Sequence, residues 1–433
     1  MMFEKYDAYK DSGMDWIGEI PHDWNVVKLK HLLQEPLKYG ANESGIEFSE
    51  DLPRYIRITD FNDDGKLDEK NKLSLTWKKG KDYLLDDGDI LLARSGASVG
   101  KSFLFKLENA NEKAFCFAGY LIKAKADINK IIPKYLYLYL NSEVFFEWKN
   151  LIFNKATIEN IGADKYSEFF IILPSLDEQS KILDLLNPFL MNIDQAIAIK
   201  EQQIALLNER KQIVIQKAVT QGLDPNVPMK DSDIDGIGKI PKHWETFFNR
   251  RLFRENSRPV KGDELPLSLS QKDGVIPSGE MKEKSLSPAH RNNFKLCFPN
   301  DLVVNRFKGH LGVFFQSNYI GIVTFHYGVF EPAKNVYTKY FELLYHTEQY
   351  KTLYAGASNG MSIGLQNLSN LNFYRIKSIV PPLEEQKMIC DYADKVEKEH
   401  SNLIQKLEIQ IEKLKEYKTT LINDAVTGKI KVA

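Results

Sequence analysis

Two stretches of this chain carry apolar residues at alternating steps of three and four. In the first, Leu186, Leu190, Ile193, Ile197, Ile204, Leu207, Val214 and Ala218 follow that rhythm, interrupted at Lys200 and Lys211. In the second, Ile389, Ala393, Val396, Leu403, Leu407, Leu414 and Leu421 do the same, with His400, Gln410 and Tyr417 on the seam. An apolar stripe with a period near 3.5 predicts a long helix that packs along another helix. Ser175 with Glu178 three residues on has the capping-box pattern, and Asp177/Glu178 and Glu384/Glu385 suit the positive end of a helix dipole. Pro188 predicts a bend or restart in the first helix. From Phe189 to Gln221 that helix would still span about 50 Å at 1.5 Å per residue. The short link Gly222 to Met229 leads straight into further globular sequence, so an antiparallel pair of helices is the natural arrangement.

Ahead of each long helix the pattern turns to short β-branched and aromatic runs bounded by Gly, Asn and Ser. Leu85 to Arg94 reads as a turn feeding a buried strand, answered by Leu302 to Arg306, with Val313–Phe315 and Gly321–Phe325 as further strands. Ile131 to Leu151 and Val336 to Tyr354 read as single helices. The same framework is written twice. Lys10 to Trp24 returns as Lys230 to Trp244 with nine of 15 residues identical, and Leu173 to Gln179 returns as Val380 to Gln386. Lys211, Ile215, Ala218, Val219 and Thr220 return as Lys418, Ile422, Ala425, Val426 and Thr427. The spacings of 220 and 207 residues far exceed solenoid periods of roughly 20–50. They indicate two domain-plus-helix modules in tandem.

Composition narrows the class only a little. The chain has 433 residues, 43% hydrophobic and 27% charged, with net charge −1, so any nucleic-acid affinity must come from a local basic face. Cys116, Cys297 and Cys390 show no metal or disulfide spacing and read as buried hydrophobes of a reducing cytosol. The polar start carries no secretory pattern, and apolar runs such as Phe169–Leu173 fall short of the ~18 residues of a membrane span. The expectation is a cytoplasmic protein without a membrane partner.

The search for chemistry returns binding residues. Ser95 to Ser102 approaches a phosphate-loop pattern, but position 95 is Ser where Gly is required, and Phe307 to Gly312, the equivalent loop, has no Lys-Ser pair. No nucleophile elbow, metalloprotease helix or His/Cys cluster occurs, so no catalytic or metal-ligating residue is assigned. Basic residues interleaved with Tyr, Asn, Ser and Gly gather around Lys38–Asn42, Arg54–Arg57, Arg94–Lys101 and Lys155–Thr157 in the first half. Arg250–Arg254 and Arg306–His310 do so in the second. That mixture suits phosphate anchoring combined with hydrogen bonding to base edges.

Taken together, the chain resembles, along its whole length, the specificity subunit of type I restriction–modification systems. The resemblance is carried by the Ile-Gly-x-Ile-Pro-x-x-Trp openings (Ile17 to Trp24, Ile237 to Trp244), the strands ending in Arg, the Pro-x-Leu-Asp/Glu-Glu-Gln helix starts and the Ala-Val-Thr helix ends, in doubled order. It implies a mixed α/β fold with a pseudo-two-fold repeat: two tandem globular target recognition domains separated by two long antiparallel coiled-coil helices. The bounds are 1–174 and 223–380 for the domains and 175–222 and 381–433 for the helices. Each domain would read one half of a split, asymmetric site in double-stranded DNA. The helices would set the spacing and dock two methyltransferase subunits, with restriction/translocase subunits joining for cleavage. S-adenosylmethionine, ATP and Mg would belong to those partners, and none to this chain. Candidate DNA-contacting residues are Lys38, Tyr39, Asn42, Arg57, Thr59, Arg94, Ser95, Ser98, Lys101, Lys155 and Thr157, then Arg250, Arg306, Lys308, His310, Ser358, Asn359, Ser362 and Gln366. Leu186, Ile193, Ile197, Ile204, Leu207, Val396, Leu403, Leu407, Leu414 and Leu421 are the candidate helix-packing residues. The alternatives are a coiled-coil adaptor without DNA readout and a nucleotide-dependent enzyme using the Ser95–Ser102 loop.

Overall fold

The computed structural model describes residues 4–61, 67–109, 112–153, 160–255, 258–261, 263–281, 293–358 and 367–432. The chain forms two compact units, Met1–Glu201 with Leu407–Ala433, and Gln202–Lys406. Each unit therefore takes one globular domain, one end of the helix Leu176–Gln221 and one end of the helix Leu383–Val426.

In the first unit the strand Asn25–Lys28 pairs antiparallel with Phe170–Leu173, closing the beginning of the domain on its end. The central sheet runs in the order Lys38–Tyr39, Leu121–Ala124, Ile90–Ala93, Ser102–Leu104. Ile90–Ala93 and Leu121–Ala124 are buried on both faces, which explains the unbroken apolar run of the first; the second carries one buried cation, Lys123, paired with Glu35 and Asp89. A second sheet, in the order Phe115–Phe117, Arg54–Ile56, Leu73–Ser74, Ile46–Glu47, packs on the Leu91, Ala93 and Leu121 face of the first. The second unit repeats the plan. Glu245–Phe248 pairs with Lys377–Val380, and the sheet order is Phe253–Glu255, Tyr327–Pro332, Leu302–Asn305, Phe314–Gln316.

The repeated motifs turn out to be joints. Gln179 is fully buried; its Oε1 accepts from Ile132 N at 2.8 Å while its Nε2 donates to Pro174 O at 3.0 Å. Gln386 does the same with Tyr337 N (2.8 Å) and Pro381 O (2.9 Å). The glutamine of each Pro-x-Leu-Asp/Glu-Glu-Gln motif thus ties the long helix to the domain before it. The helix ends dock beneath the repeated tryptophans. Trp24 packs with Val426, and Gly428 sits there at φ +75°, where a Cβ would fall 2.3 Å from Pro21 Cγ. In the second unit Trp244 packs with Val219 beside Gly222 at φ +82°. Tyr340 Oη donates to Val219 O at 2.8 Å, and Tyr135 Oη lies 3.3 Å from Val426 O.

Within each unit the long helices run antiparallel. Lys200 Nζ reaches Gln410 Oε1 at 2.6 Å and Lys418 Nζ reaches Asp194 Oδ1 at 2.6 Å in the first, and Lys211 Nζ reaches Glu397 Oε1 at 3.0 Å in the second. The lysines that interrupt the apolar rhythm thus keep their stems on the seam and bridge to the facing helix. Leu186, Ile193, Val396 and Leu421 are buried, and Ile197, Ile204, Leu207, Leu407 and Leu414 are half-buried.

Four expectations are corrected. Leu403 is 46% exposed and lies off the seam; Ile404 and Ile411 face inward, because the stripe drifts by one residue in mid-helix. The first long helix runs unbroken through Pro188, which is exposed, so that the carbonyl it leaves unpaired, that of exposed Asp184, can face water. The single helices expected over 131–151 and 336–354 are each two: Pro133–Tyr139 and Glu143–Phe153, Thr338–Tyr345 and Glu348–Ala357. The breaks fall at Ser142 and Thr347, whose hydroxyls donate to Tyr139 O and Leu344 O at 2.7 Å while their carbonyls start the next helix. Finally, among the described residues one helix, Leu176–Gln221, is long and apolar enough by length and composition to cross a bilayer, where no apolar run suggests one. Its apolar residues recur at helical spacing and pack along the second helix and both cores.

Candidate nucleic-acid interface

The candidate residues of the first unit gather where the buried strand Ile90–Ala93 leaves the sheet. Ala93 N and O bond Lys101 O and Gly100 N at 2.8 and 3.0 Å, and Gly96 and Gly100 take φ of +75° and +85°, so residues 94–101 form a closed, outward loop. Arg94 stands at its base with its guanidinium 4.8 Å over the Tyr39 ring. Tyr39 Oη accepts from Ala163 N at 2.9 Å, Arg94 O accepts from Ile161 N at 2.8 Å, and Ser95 bridges to Asn160. Three separate segments thus meet around one arginine. Arg94 Nε and Asn160 Oδ1 are buried without a hydrogen-bond partner, a donor and an acceptor at the same spot. Thr59, Asn42 and Lys38 are exposed, and Ser98 is half-buried in the loop's single 3-10 turn.

Several of these residues are already engaged. Arg57 makes a forked pair with Asp60, Nε to Oδ2 at 3.0 Å and Nη2 to Oδ1 at 2.7 Å, and the hydrogen bond it donates to Asp60 raises its pKa further. Lys38 Nζ donates to Asp82 O at 2.6 Å. Lys101 lies 5.5 Å over the Phe61 ring, which stacks on Phe103 at 4.9 Å. The strand Ser102–Leu104 follows the loop, where a phosphate loop needs the N-terminus of a helix, so the nucleotide-site geometry is absent.

The second unit builds the equivalent place differently. The strand Leu302–Asn305 ends in a 3-10 segment, Arg306–Leu311, started by Asn305 Oδ1 accepting from Phe307 N and Lys308 N at 3.1 and 3.3 Å. Arg306 corresponds to Arg94, and its carbonyl accepts from Leu368 N at 2.9 Å as that of Arg94 does from Ile161. Its side chain instead pairs with Glu255: Arg306 Nη2 and Lys295 Nζ lie 2.8 and 2.7 Å from Glu255 Oε1, and Asn370 Nδ2 donates to Oε2. Arg306 Nε, like Arg94 Nε, is buried without a partner. Beside it Phe307 and Phe325 are 44% and 50% exposed, with the His326 ring between them at 5.5 and 3.9 Å.

Arg250 does not join this group; its guanidinium packs 5.1 Å over Phe248, which also carries Lys377. Ser358 ends a helix, its Oγ donating to Tyr354 O at 2.7 Å, and Lys308 is exposed. Lys155, Thr157, Asn359, Ser362, Gln366 and the side chain of His310 lie outside the described residues. Sequence reasoning missed Glu255, Asn370, Phe325 and His326, whereas Phe307 lies inside the Arg306–His310 run it singled out. Only Glu255 left a trace, as the single acid inside a run of five cations.

Comparison with known proteins places this architecture. The family model described as the type I restriction modification DNA specificity domain matches residues 21–209 and again 241–413. A putative type I restriction enzyme MjaX specificity subunit from Methanocaldococcus jannaschii is 27% identical over 464 residues, covering 100% of this chain and 99% of the relative. The type I restriction enzyme EcoBI specificity subunit of Escherichia coli is 24% identical over 207 residues, 46% of this chain and 42% of the relative. A solved structure described under complex assembly and conformational transition of the type I R-M system shares the fold, with TM-score 0.65 and 12% identity over 95% of this chain and 99% of that one. The chain belongs to the type I restriction–modification DNA specificity family. Its function is that of a specificity subunit with two such domains in one chain.

Proposed function

We propose that each unit reads one half of a split, asymmetric site in double-stranded DNA, through the face built around Arg94 in the first and around Arg306 in the second. The observation that carries this reading is a shared frame with different chemistry: one equivalent arginine rests on Tyr39, the other on Glu255. Two identical readers would select a repeat or palindrome, whereas two different ones suit an asymmetric pair of half-sites. In each face the cations serve phosphate positioning, and the polar loop tips serve base edges. The paired helices would set the distance between half-sites and dock two methyltransferase subunits, with restriction subunits joining the assembly. The chain itself would perform no catalysis and work in the cytoplasm. S-adenosylmethionine, ATP and Mg would be held by the partners.

The test is a genome-wide map of methylated adenines in the source cell with and without this chain. Loss of one split asymmetric motif on deletion is the expected result. An unchanged methylome in a cell whose methyltransferase subunit is expressed and active would overturn the reading.

A further inference from the structure

The two repeats share a backbone joint but dress it with different charges. In the first unit Leu29 N donates to Phe169 O at 2.7 Å, and in the second Asn249 N donates to Ile376 O at 2.8 Å. With the strand register, these bonds align Lys28, Lys30, Glu168 and Phe170 with Phe248, Arg250, Arg375 and Lys377. In the first unit Lys28 and Lys30 both pair with Glu168, and Lys28 also lies 5.5 Å over the Phe170 ring. In the second unit ring and cation have exchanged strands. Arg250 and Lys377 lie 5.1 and 5.7 Å from the centre of the Phe248 ring, and Arg375 stands where the first unit has Glu168. Arg250 and Arg375 are exposed and Lys377 is half-buried. Among the described residues no acid pairs with any of the three.

Like charges gathered around one ring repel, and water and salt only screen that repulsion. The first repeat answers with an acid of its own. The second sets a third cation in the acid's place, so the complementary charge comes from outside the chain, as an anion. The position of the patch says which anion. Arg375 ends the helix Asn370–Arg375, whose first residue donates to Glu255 and whose Tyr374 Oη accepts from Glu255 N at 2.7 Å. Glu255 is the acid that holds Arg306. From Asn370 to Arg375 the helix rises about 8 Å, so the patch extends the second reading face. A duplex carries about one phosphate charge per 1.7 Å of its axis, enough to meet three cations over that reach. A guanidinium already held on a ring has less side-chain freedom to lose when it binds a phosphate.

We propose that Arg250, Arg375 and Lys377 form a phosphate anchor for the DNA backbone beside the half-site met by the second unit. The first unit, with Glu168 in place, has no such anchor at the equivalent joint. The proposal rests on the reading that the face around Arg306 meets DNA. It adds a contact that holds the duplex without reading its sequence.

The experiment is a salt titration of the assembled complex on two duplexes, one carrying the mapped site and one of unrelated sequence. Wild type is compared with the triple variant Arg250→Gln, Arg375→Gln, Lys377→Gln. Each lost phosphate contact lowers the slope of log K against log salt by about 0.9, so the triple variant should reduce it by about 2 to 3 on both duplexes. The preference for the mapped duplex and the methylated motif should not change. Arg375→Glu, which copies the acid of the first repeat, should lower the slope by itself, and Glu168→Arg in the first unit should raise it. An unchanged slope in the folded triple variant would overturn the proposal. So would a loss confined to the mapped duplex, which would make these residues readers of bases. Weakened methyltransferase binding at an unchanged DNA slope would equally overturn it, by making the patch a protein contact. The reading beneath the proposal fails in a different way: there Arg306→Ala keeps the full preference for the mapped duplex, whatever the triple variant does to the slope.

Discussion

Arg94 and Arg306 hold the same place in two frames, and each keeps a buried Nε with no partner. A buried donor left unpaired costs about 1–3 kcal/mol, a cost relieved only where a local rearrangement lets an acceptor reach it. Arg94→Ala or Arg306→Ala in the assembled complex is therefore expected to weaken binding to the mapped site by about 1–3 kcal/mol, and Arg94→Lys should not restore it, because a lysine loses the planar stack on Tyr39. Equal affinity of wild type and Arg94→Ala in a salt titration would count against a DNA contact there. Stability has its own residues. Gly428→Ala meets both a positive φ and Pro21 Cγ at 2.3 Å, and is expected to cost well over 1 kcal/mol; Gly96→Ala, with open space around it, should cost about 1 kcal/mol. Thermal melts of the two variants separate the effects. His346 has its pKa lowered to about 4 by burial, helped by Lys351 and Lys339. The unfolded state, near 6.5, then binds the proton more readily, so this contribution is complete above pH 6.5 and is lost as pH falls toward 4. His346→Gln should flatten the melting temperature over that window, and an unchanged pH profile would remove His346 as the cause. At this scale the sequence showed the cations but not their partners. Arg57 is spent on Asp60 three residues away and Arg306 on Glu255 across the sheet, and only strand register tells which acid a cation meets.

The elements were the more legible part. Two long helices and their capped starts follow from apolar spacing, and buried strands such as Ile90–Ala93 from unbroken aliphatic runs. What periodicity misplaced has local causes. Leu403 satisfies a strict heptad, but a straight helix drifts about 20° per heptad, which brings Ile404 inward. Ser142 and Thr347 sit in helical patterns, yet each breaks its helix by turning a hydroxyl onto a carbonyl three residues back. The bridges Lys200–Gln410, Lys211–Glu397 and Lys418–Asp194 lie on the rim of the seam, where single pairs contribute roughly 0–1 kcal/mol. Lys211→Met should accordingly leave the melting temperature within a few degrees, while Lys211→Glu, which sets like charges opposite Glu397, should lower it. If the helices set the spacing between half-sites, seven residues inserted at one level in both would add about 10 Å, or about three unread base pairs. An unchanged spacer in the resulting methylation motif would refute that role.

For the molecule as a whole, the repeated and the unrepeated parts of the chain do different work. The Ile-Pro-x-x-Trp openings, buried Gln179 and Gln386, and the Ala-Val-Thr ends make the same joints twice. The segments between them share strand order near the equivalent arginine yet surround it with Tyr39 in one unit and Glu255, Lys295 and Asn370 in the other. A frame kept constant while the surface between its joints varies would make two readers separable. The most direct measurement replaces residues 26–172 with the corresponding segment of a related specificity subunit and maps methylated adenines in cells carrying the hybrid. The expected result is a motif in which one half has changed while the other half and the spacing are retained. A motif with both halves changed, or with neither, would contradict the account.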